Sequence, residues 1–508
     1  MRNERDQGVV LETQSEFHND EEDHLTHLGS PKLHDDTVSI EQFDIDETNS
    51  DNENVDYDDK KVEFEGHTVI LENKNIFKND KLKFQVIASM LSLLLIGLTD
   101  QTIGSLIEHF LSFYKIDRVK LSYLFVAQFC GYIPASFLNN YLMSKIGLYN
   151  MYWTACALSM IVSVVYILKM SYPMLIIASI GFGWTNGTLD CCMNYFVGTL
   201  KYSNELLGLM HSFYGVGCLI TPSLSVYLIH KGMPWNKYYI ILLGAGFINL
   251  LLALIFYKNE TSFKYRYYLN KANEGSNNSD DDINFDHESF TVVKNEPSVL
   301  ETIQNKYIAF YSLCLFLYVG SELSVGVWLN NYMYRVHNLT EDKASFIVST
   351  FWFWMTLGRF VMGFFTGRYF ENNEAKAIVA YCWLVAFGCF GFWIFETSTL
   401  LQTIFISISG WFVGPIFGTT IIIAIKTLPK RYSVSGISLI AGLGGTGAAI
   451  IPSIMGYIAE HGSVTPGDGA GLVYFPLAVC FTFTACALVW LVFYVVNKAT
   501  FDSKLRLK

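Results

Sequence analysis

Charge is scarce in this chain. Lys, Arg, Asp and Glu together make up 16% of its 508 residues, against about 25% in a typical soluble domain. The net charge of -11 is also local. It comes from a stretch between Glu12 and Glu65 dense in Asp and Glu, such as Glu21, Glu22, Asp23, Asp58 and Asp59, with few large apolar residues. Such a stretch cannot bury enough surface to offset the entropy of ordering, so a disordered, solvated tail is expected. Lys and Arg form no cluster, which excludes a nucleic-acid partner. The ten cysteines all fall inside apolar runs, where a thiol behaves as a small hydrophobe. None has metal-ligand spacing and none lies where an oxidised pair would form, so neither a metal centre nor a disulfide framework is expected. No cleavable signal peptide opens the chain, because the first apolar run starts near Phe84. No nucleophile, base and orienter can be assembled with specificity. Enzyme chemistry is therefore disfavoured, and no cofactor is expected.

Apolar residues, by contrast, are abundant: hydrophobic residues reach 51% and aromatics 16%. Roughly 20 apolar residues cross a bilayer as a helix. Runs of that kind lie at about 84–110, 121–142, 150–170, 172–198, 205–230 and 237–257, and again at about 306–333, 344–366, 376–396, 399–425, 433–459 and 472–496. An all-α membrane protein of twelve transmembrane helices follows, since backbone groups in lipid must be satisfied within each segment. The expected organisation is a disordered acidic tail at 1–83, a six-helix half at 84–257, a central loop at 258–305, a second six-helix half at 306–496 and a short tail at 497–508. Lys and Arg crowd the loops on the side of both termini: Lys74, Lys78, Lys81 and Lys83, then Lys145, Lys201, Arg368, Lys376, Lys426 and Lys430. That bias puts both termini in the cytosol. The triplet Asn338-Leu339-Thr340 then falls in an external loop, where Asn338 can be glycosylated.

The two halves look related. Gly183-Trp184 and Gly187 in span four match Gly410-Trp411 and Gly414 in span ten. Gly215-x-Gly217 with Pro222 in span five matches Gly445-x-Gly447 with Pro452 in span eleven. Gly131 and Gly358, and Gly104 and Gly326, recur at nearly the same offset. Each pair joins a span to the one six later, which describes two six-helix pseudo-repeats with a site near the midplane between them.

Ionisable side chains at that depth cost about 2.5–3.5 kcal/mol each on insertion scales, so each needs a reason. Asp100 lies between Gly97 and Gly104 in span one, with Gln101 beside it. Asn186, Asp190 and Asn194 share one face of span four by their i, i+4, i+8 spacing. Glu322, Trp328 and Asn331 lie in span seven, Arg359 in span eight and His211 in span five. A carboxylate in a partly dry cavity can bind a proton when open to one side and release it when open to the other. Asp100 and Asp190 are therefore the proton-coupling candidates, with a structural carboxylate as the alternative for each. Gln101, Asn186, Asn194, His211, Glu322, Trp328 and Asn331 are the substrate-binding candidates. For Glu322 and Arg359 a structural ion pair is the competing reading, and for His211 a packing histidine. Gly442, Gly444, Gly445 and Gly447 do not make a phosphate loop, since no strand precedes them; they let backbones approach. The run Phe351-Trp352-Phe353-Trp354 reads as lipid-facing or packed, with a sugar-stacking platform as the minority reading.

The chain over about 84–496 resembles the major facilitator superfamily, and within it the fucose-permease-type branch. The residues that carry the resemblance are Gly181-x-Gly183 with Asp190-Cys191-Cys192-Met193-Asn194, His211-Ser212-Phe213-Tyr214-Gly215-Val216-Gly217, and Gly414-Pro415-Ile416-Phe417. The acidic tail and central loop are similar to those of fungal members. The resemblance implies a monomeric, proton-coupled transporter, a symporter in the branch's type case, that carries a sugar or similar polar solute. The branch's span-one and span-four carboxylates would be Asp100 and Asp190, although the branch has Glu at the second place. The superfamily's loop motif after span two survives only as Asn140, Ser144, Lys145 and Gly147, and its counterpart after span eight as Gly363, Gly367 and Arg368, both without the acid. The partners implied are a small-molecule substrate, protons and the lipid bilayer of a plasma or vacuolar membrane. The rival reading is a non-transporting nutrient sensor or scaffold with the same fold.

Overall fold

Lipid offers a peptide backbone no hydrogen bonds, so a chain this apolar satisfies its amides as helix. A computed structural model of the protein describes residues 60–275, 304–370, 373–428, 433–462 and 470–498, all within one compact unit. Among the described residues eleven helices are long and apolar enough to cross a membrane. In the first half these are spans one (Asp80–Ser105), two (Arg118–Asn139), three (Tyr141–Ile167), five (Leu206–His230) and six (Trp235–Phe256). In the second they are spans seven (Lys306–Arg335), eight (Glu341–Tyr369), nine (Glu374–Ile394), ten (Thr399–Thr427), eleven (Leu439–His461) and twelve (Ala470–Val496). Span four, Tyr172–Gly198, has the length, with 27 residues. Its polar stripe of Asn186, Asp190 and Asn194 lowers its apolarity, and that stripe faces the other helices rather than lipid. The outer surface is the reverse of a soluble protein's: Ile161, Ile177, Phe387, Phe481 and Val492 are all exposed, a belt suited to acyl chains.

The recurring glycines do the same work in each half. A Cβ on Gly183 would overlap the Gln128 carbonyl oxygen, and one on Gly131 the Ile180 carbonyl oxygen, so spans two and four touch backbone to backbone. Gly358 and Gly414 bring spans eight and ten together in the same way, against Trp411 and Met355. Gly217 meets Leu94 of span one, while Gly447 meets Phe316 of span seven. Other pairs serve the contact between halves. Gly104 packs on Val327 and Gly215 on Thr356, and a Cβ on Gly445 would meet the Tyr132 ring at 3.7 Å. Small residues at such crossings let dispersion act over whole helix faces, which is what holds helices together in lipid.

The ends differ from expectation. The disordered tail expected over 1–83 lies outside the described residues up to 59. From 60 the chain is ordered instead. Strands β1 (Lys60–Phe64) and β2 (His67–Leu71) pair antiparallel with Lys60 opposite Leu71, turning through Glu65 and Gly66 at positive φ. The central loop expected over 258–305 holds a helix, Ser262–Gly275; its remainder at 276–303, Lys430 with Arg431, and the tail from 499 lie outside the described residues. The hairpin and this helix stay together through charge. Glu72, only 6% exposed, meets Lys81 Nζ at 2.5 Å and Asn259 Nδ2 at 2.8 Å, and Lys264 Nζ lies 2.6 Å from Glu260. Burial works against ionising Glu72, but Lys264 and Lys81 outweigh it and hold its carboxyl below the usual range. Burial likewise opposes the charge on Lys264, and Glu260 with Glu72 raises it overall. Arg266 reaches both Glu65 and the Ser144 carbonyl at 2.7 Å. Gly147, at φ 82, breaks the helical path within the stretch Arg118–Ile167 that holds spans two and three, and packs where any Cβ would strike Ser262. An ordered basic residue on the far side of the loop thus ties down a motif that lacks its own acid.

Candidate functional site

Span four carries its polar face inward because three neighbouring helices, spans one, two and five, supply partners for it. Asp100 Oδ1 accepts from Gln128 Nε2 of span two at 2.7 Å and from Asn186 Nδ2 at 2.9 Å. Its Oδ2 accepts from the Tyr214 hydroxyl of span five at 3.3 Å. One turn along span four, Asp190 Oδ2 accepts from the Tyr132 hydroxyl at 2.8 Å and its Oδ1 from Asn194 Nδ2 at 2.8 Å. Asn194 Oδ1 in turn meets His211 Nε2 at 3.0 Å. Both carboxylates are thus ringed by neutral hydroxyl and amide groups. No Lys or Arg lies within ion-pair distance of either among the described residues. A group held this way can change its protonation state without breaking an ion pair, because hydroxyls and amides can exchange donor and acceptor roles.

The second half is arranged differently. Arg359 Nη2 lies 3.6 Å from Glu322 Oε1 and 3.4 Å from the Tyr318 hydroxyl, and Arg359 Nε donates to the Gly414 carbonyl at 3.3 Å. That carbonyl sits where span ten breaks, at Gly414-Pro415 between the helical segments Thr399–Val413 and Ile416–Thr427. Here a cation and an anion neutralise one another, and removing either would strand a buried charge.

Between the two arrangements lies a layer of polar atoms with nothing to bind. Gln101 is 0% exposed, yet neither its Oε1 nor its Nε2 has a hydrogen-bond partner. The Trp352 Nε1 and Thr356 Oγ1 are buried and unpartnered as well. Gln101 and the Trp352 ring close on Gly326 from two sides, and Thr356 packs on Gly215. The Tyr214 ring lies 6.4 Å from Trp352. Each unmatched buried group costs about 1–3 kcal/mol, so a cluster of them needs an explanation in function.

Asp100, Gln101, Asn186, Asp190, Asn194 and His211 therefore share one region, with Glu322 across from it. Trp328 and Asn331 do not join them. The Trp328 indole donates to the Pro452 carbonyl at 2.9 Å, a link between spans seven and eleven. Asn331 binds Glu108 and Arg118 at the end of the bundle. Asn338 is exposed in the loop after span seven, at φ 52. Sequence reasoning missed Gln128, Tyr132, Tyr214 and Thr356, and set Trp352 aside. Gln128 and Tyr132, four apart on span two, did carry a signal, being polar groups flanking Gly131. Within the aromatic run, Phe351 and Trp352 are buried and Phe353 is exposed, so only the inward pair bears on the site.

The family described as Major Facilitator Superfamily matches residues 89–267. The chain is 31% identical over 442 residues to Bypass of stop codon protein 6 of Saccharomyces cerevisiae, covering 85% of this chain and 86% of that protein. It is 29% identical over 185 residues to a glucose/galactose transporter of Brucella abortus, covering 36% of this chain and 42% of that one. Two solved structures share the fold at 15% identity. The nucleoside transporter NupG matches with a TM-score of 0.59 over 82% of this chain and 99% of its own. The E. coli fucose:proton symporter FucP matches with a TM-score of 0.54 over 80% and 98%.

Proposed function

The chain belongs to the major facilitator superfamily of membrane transporters, and from that premise we propose that it moves a small polar solute, a sugar or a related hydroxylated compound, by proton-coupled alternating access. Asp100 and Asp190 are the coupling groups. The observation that supports this reading is their setting: Asp100 on span one and Asp190 on span four, one turn beyond the Asn186 that donates to Asp100, each held by neutral donors with no Lys or Arg within ion-pair distance among the described residues. Protonation there changes the charge of the first half without disturbing the Glu322–Arg359 pair of the second. The cargo lies between them. Gln101 offers a donor and an acceptor, Trp352 a donor and Thr356 either, a set that suits hydroxyl groups and holds no net charge. The likeness to the Brucella glucose/galactose transporter supports a sugar. Asn186, Asn194 and His211 would transmit the change rather than grip the solute, since each already has a partner. Trp328 and Asn331 are engaged elsewhere, and we do not assign them to the cargo.

The protein sits in the membrane with both termini in the cytosol and works as a monomer, on this reading. The test is transport itself. Purified protein in vesicles should accumulate one of a panel of sugars and polyols when an inward proton gradient is imposed, and stop when the gradient is collapsed. Ligand binding with no movement of any solute across the vesicle wall would instead leave a sensor.

A further inference from the structure

The repeat that relates the two halves puts different residues at matching places. Gly131 and Gly358 correspond, so Tyr132 answers to Arg359. Gly104 and Gly326 correspond, so Asp100 answers to Glu322. In the second half the cation at that place lies against the carboxylate, and a buried pair of that kind resists losing either charge. The first half carries a neutral phenol there instead. A phenol can bind a carboxyl group in either protonation state, donating to the anion and accepting from the acid.

Tyr132 and Tyr214 have a second property in common. Each donates to one of the two carboxylates, Tyr132 to Asp190 at 2.8 Å and Tyr214 to Asp100 at 3.3 Å, and each ring also faces the second half. A Cβ on Gly445 of span eleven would meet the Tyr132 ring at 3.7 Å, so at that point the ring faces the helix itself and no flexible side chain. The Tyr214 ring stands edge-on to Trp352 of span eight, with centroids 6.4 Å apart and planes at 79°, and Trp352 belongs to the layer assigned to the cargo. The backbones beneath the two rings are clamped. A Cβ on Gly183 of span four would come to 2.9 Å from Tyr132 N, one on Gly187 to 2.8 Å from Tyr132 O, and one on Gly97 of span one to 2.2 Å from the Tyr214 carbonyl oxygen. A change at either hydroxyl is therefore taken up by the ring, turning on a fixed stem.

We infer that Tyr132 and Tyr214 are the positioning residues through which the charge on Asp190 and Asp100 acts on the second half, and that they divide the work. Tyr214 links the proton to the cargo, and Tyr132 links it to the crossing of spans two and eleven. The division rests on the coupling reading above and says how that coupling is delivered. An ionised carboxylate holds a hydroxyl by a charge-assisted bond, shorter and roughly twice as strong as a neutral one. Protonation weakens that hold and gives one carboxyl oxygen a hydrogen of its own, so the hydroxyl draws back or turns to accept. At Tyr214 the ring then moves against Trp352, whose unpartnered Nε1 is offered to the solute at a different place. At Tyr132 the ring moves against span eleven, a helix of the other half with no cargo between. The remaining groups facing the carboxylates are His211, which reaches Asp190 only through Asn194, Cys191 beside Asp190, Cys218 beside Asp100 and Tyr214, and the Glu322–Arg359 pair of the second half.

Tyr132→Phe and Tyr214→Phe keep the rings and remove the hydroxyls, and initial rates of sugar uptake into vesicles of the full-length protein, taken over a range of solute concentrations and external pH, separate the two roles. Tyr132→Phe should lower the maximal rate of proton-driven uptake by about fivefold, the worth of one hydrogen bond, with KM unchanged. Tyr214→Phe should do the reverse: KM rises by about fivefold and loses the dependence on external pH that wild type shows, while the maximal rate is kept. Both should still exchange labelled solute, which needs a folded protein. Adding Tyr132→Phe to Asp190→Asn should slow exchange no further, because the tyrosine acts through that carboxylate; a hydroxyl with a merely structural role would cost the same in both backgrounds. Wild-type kinetics in both phenylalanine variants, a maximal rate and KM that change together in each, or a further loss in the double variant would overturn the tyrosine roles and leave the aspartates as coupling groups. Wild-type accumulation by a protein carrying both Asp100→Asn and Asp190→Asn would overturn the coupling reading and the tyrosine roles with it.

Discussion

Asp190→Asn should remove the proton and leave the scaffold. In the native site Tyr132 donates to one oxygen of Asp190, Asn194 Nδ2 donates to the other, and Asn194 Oδ1 meets His211 Nε2. An amide at 190 keeps one acceptor for Tyr132 but turns a donor toward Asn194. If the Asn194 amide turns over, its oxygen accepts that donor and its nitrogen reaches His211, whose Nε2 accepts when the ring hydrogen is on Nδ1. Every side-chain to side-chain hydrogen bond then survives, and only the one from Asn194 Nδ2 to the Asp190 backbone carbonyl, 2.9 Å in the native site, is given up. The loss is the difference between charge-assisted and neutral bonds, about 2 kcal/mol over the two contacts at most. Asp190→Leu has no such remedy: Tyr132 and Asn194 are both stranded, at about 1–3 kcal/mol each. We therefore predict a melting temperature for Asp190→Asn close to wild type and a clearly lower one for Asp190→Leu, measured by thermal unfolding in detergent. In vesicles Asp190→Asn should exchange labelled solute across the membrane but no longer accumulate it against a gradient. Accumulation with the wild-type dependence on the pH difference would remove Asp190 from the mechanism.

Three other changes follow from the geometry. Gln101→Leu relieves an amide buried without partners, so it should raise stability by about 1–3 kcal/mol while uptake falls at least tenfold; stable protein with intact uptake would refute a cargo role. Trp328→Phe loses the bond to the Pro452 carbonyl, about 1 kcal/mol, and opens a cavity where the buried indole packed, so stability should fall while the apparent affinity for solute stays within twofold of wild type. Lys264→Met removes the 2.6 Å partner of Glu260 and leaves Glu72 with Lys81 and Asn259 alone, and limited proteolysis between the hairpin and span one should speed up at neutral pH. In wild type the depressed Glu72 carboxyl contributes stability above its unfolded value near pH 4.3. That contribution is lost as pH falls through its lower folded value, whereas the raised Lys264 loses its share only at strongly alkaline pH. Protection of the hairpin should therefore be flat from about pH 5 to 10 and fall on acidification; protection that falls between pH 8 and 6 would contradict this.

Most of the bundle was legible in the sequence, for reasons particular to lipid. A span must be long, apolar and helical, so hydropathy fixes its place. The glycine pairs told more than their number suggested, because each marks a backbone contact: Gly183 on Gln128, Gly410 and Gly358 at the matching crossing. Asp100, Asn186 and Asp190 were legible because polar groups are costly in a span, and period 3.6 puts the latter two on one face of span four. What failed was contact between distant helices. Nothing in spacing says that Trp328 points at Pro452, that Asn331 belongs to an end network with Glu108, or that Tyr214 and Gln128 converge on Asp100. The hairpin at Lys60–Leu71 was hidden by the acidic run before it, since composition averages over a boundary that one salt bridge, Glu72 with Lys81, is enough to set.

Simultaneous measurement of proton and solute entry into vesicles bears most directly on the central claim. With a solute gradient as the only driving force, wild-type protein should draw protons in with the solute and acidify the lumen. Asp100→Asn and Asp190→Asn should let solute equilibrate with no change in lumenal pH. Solute entry by wild type with no accompanying proton would contradict the account.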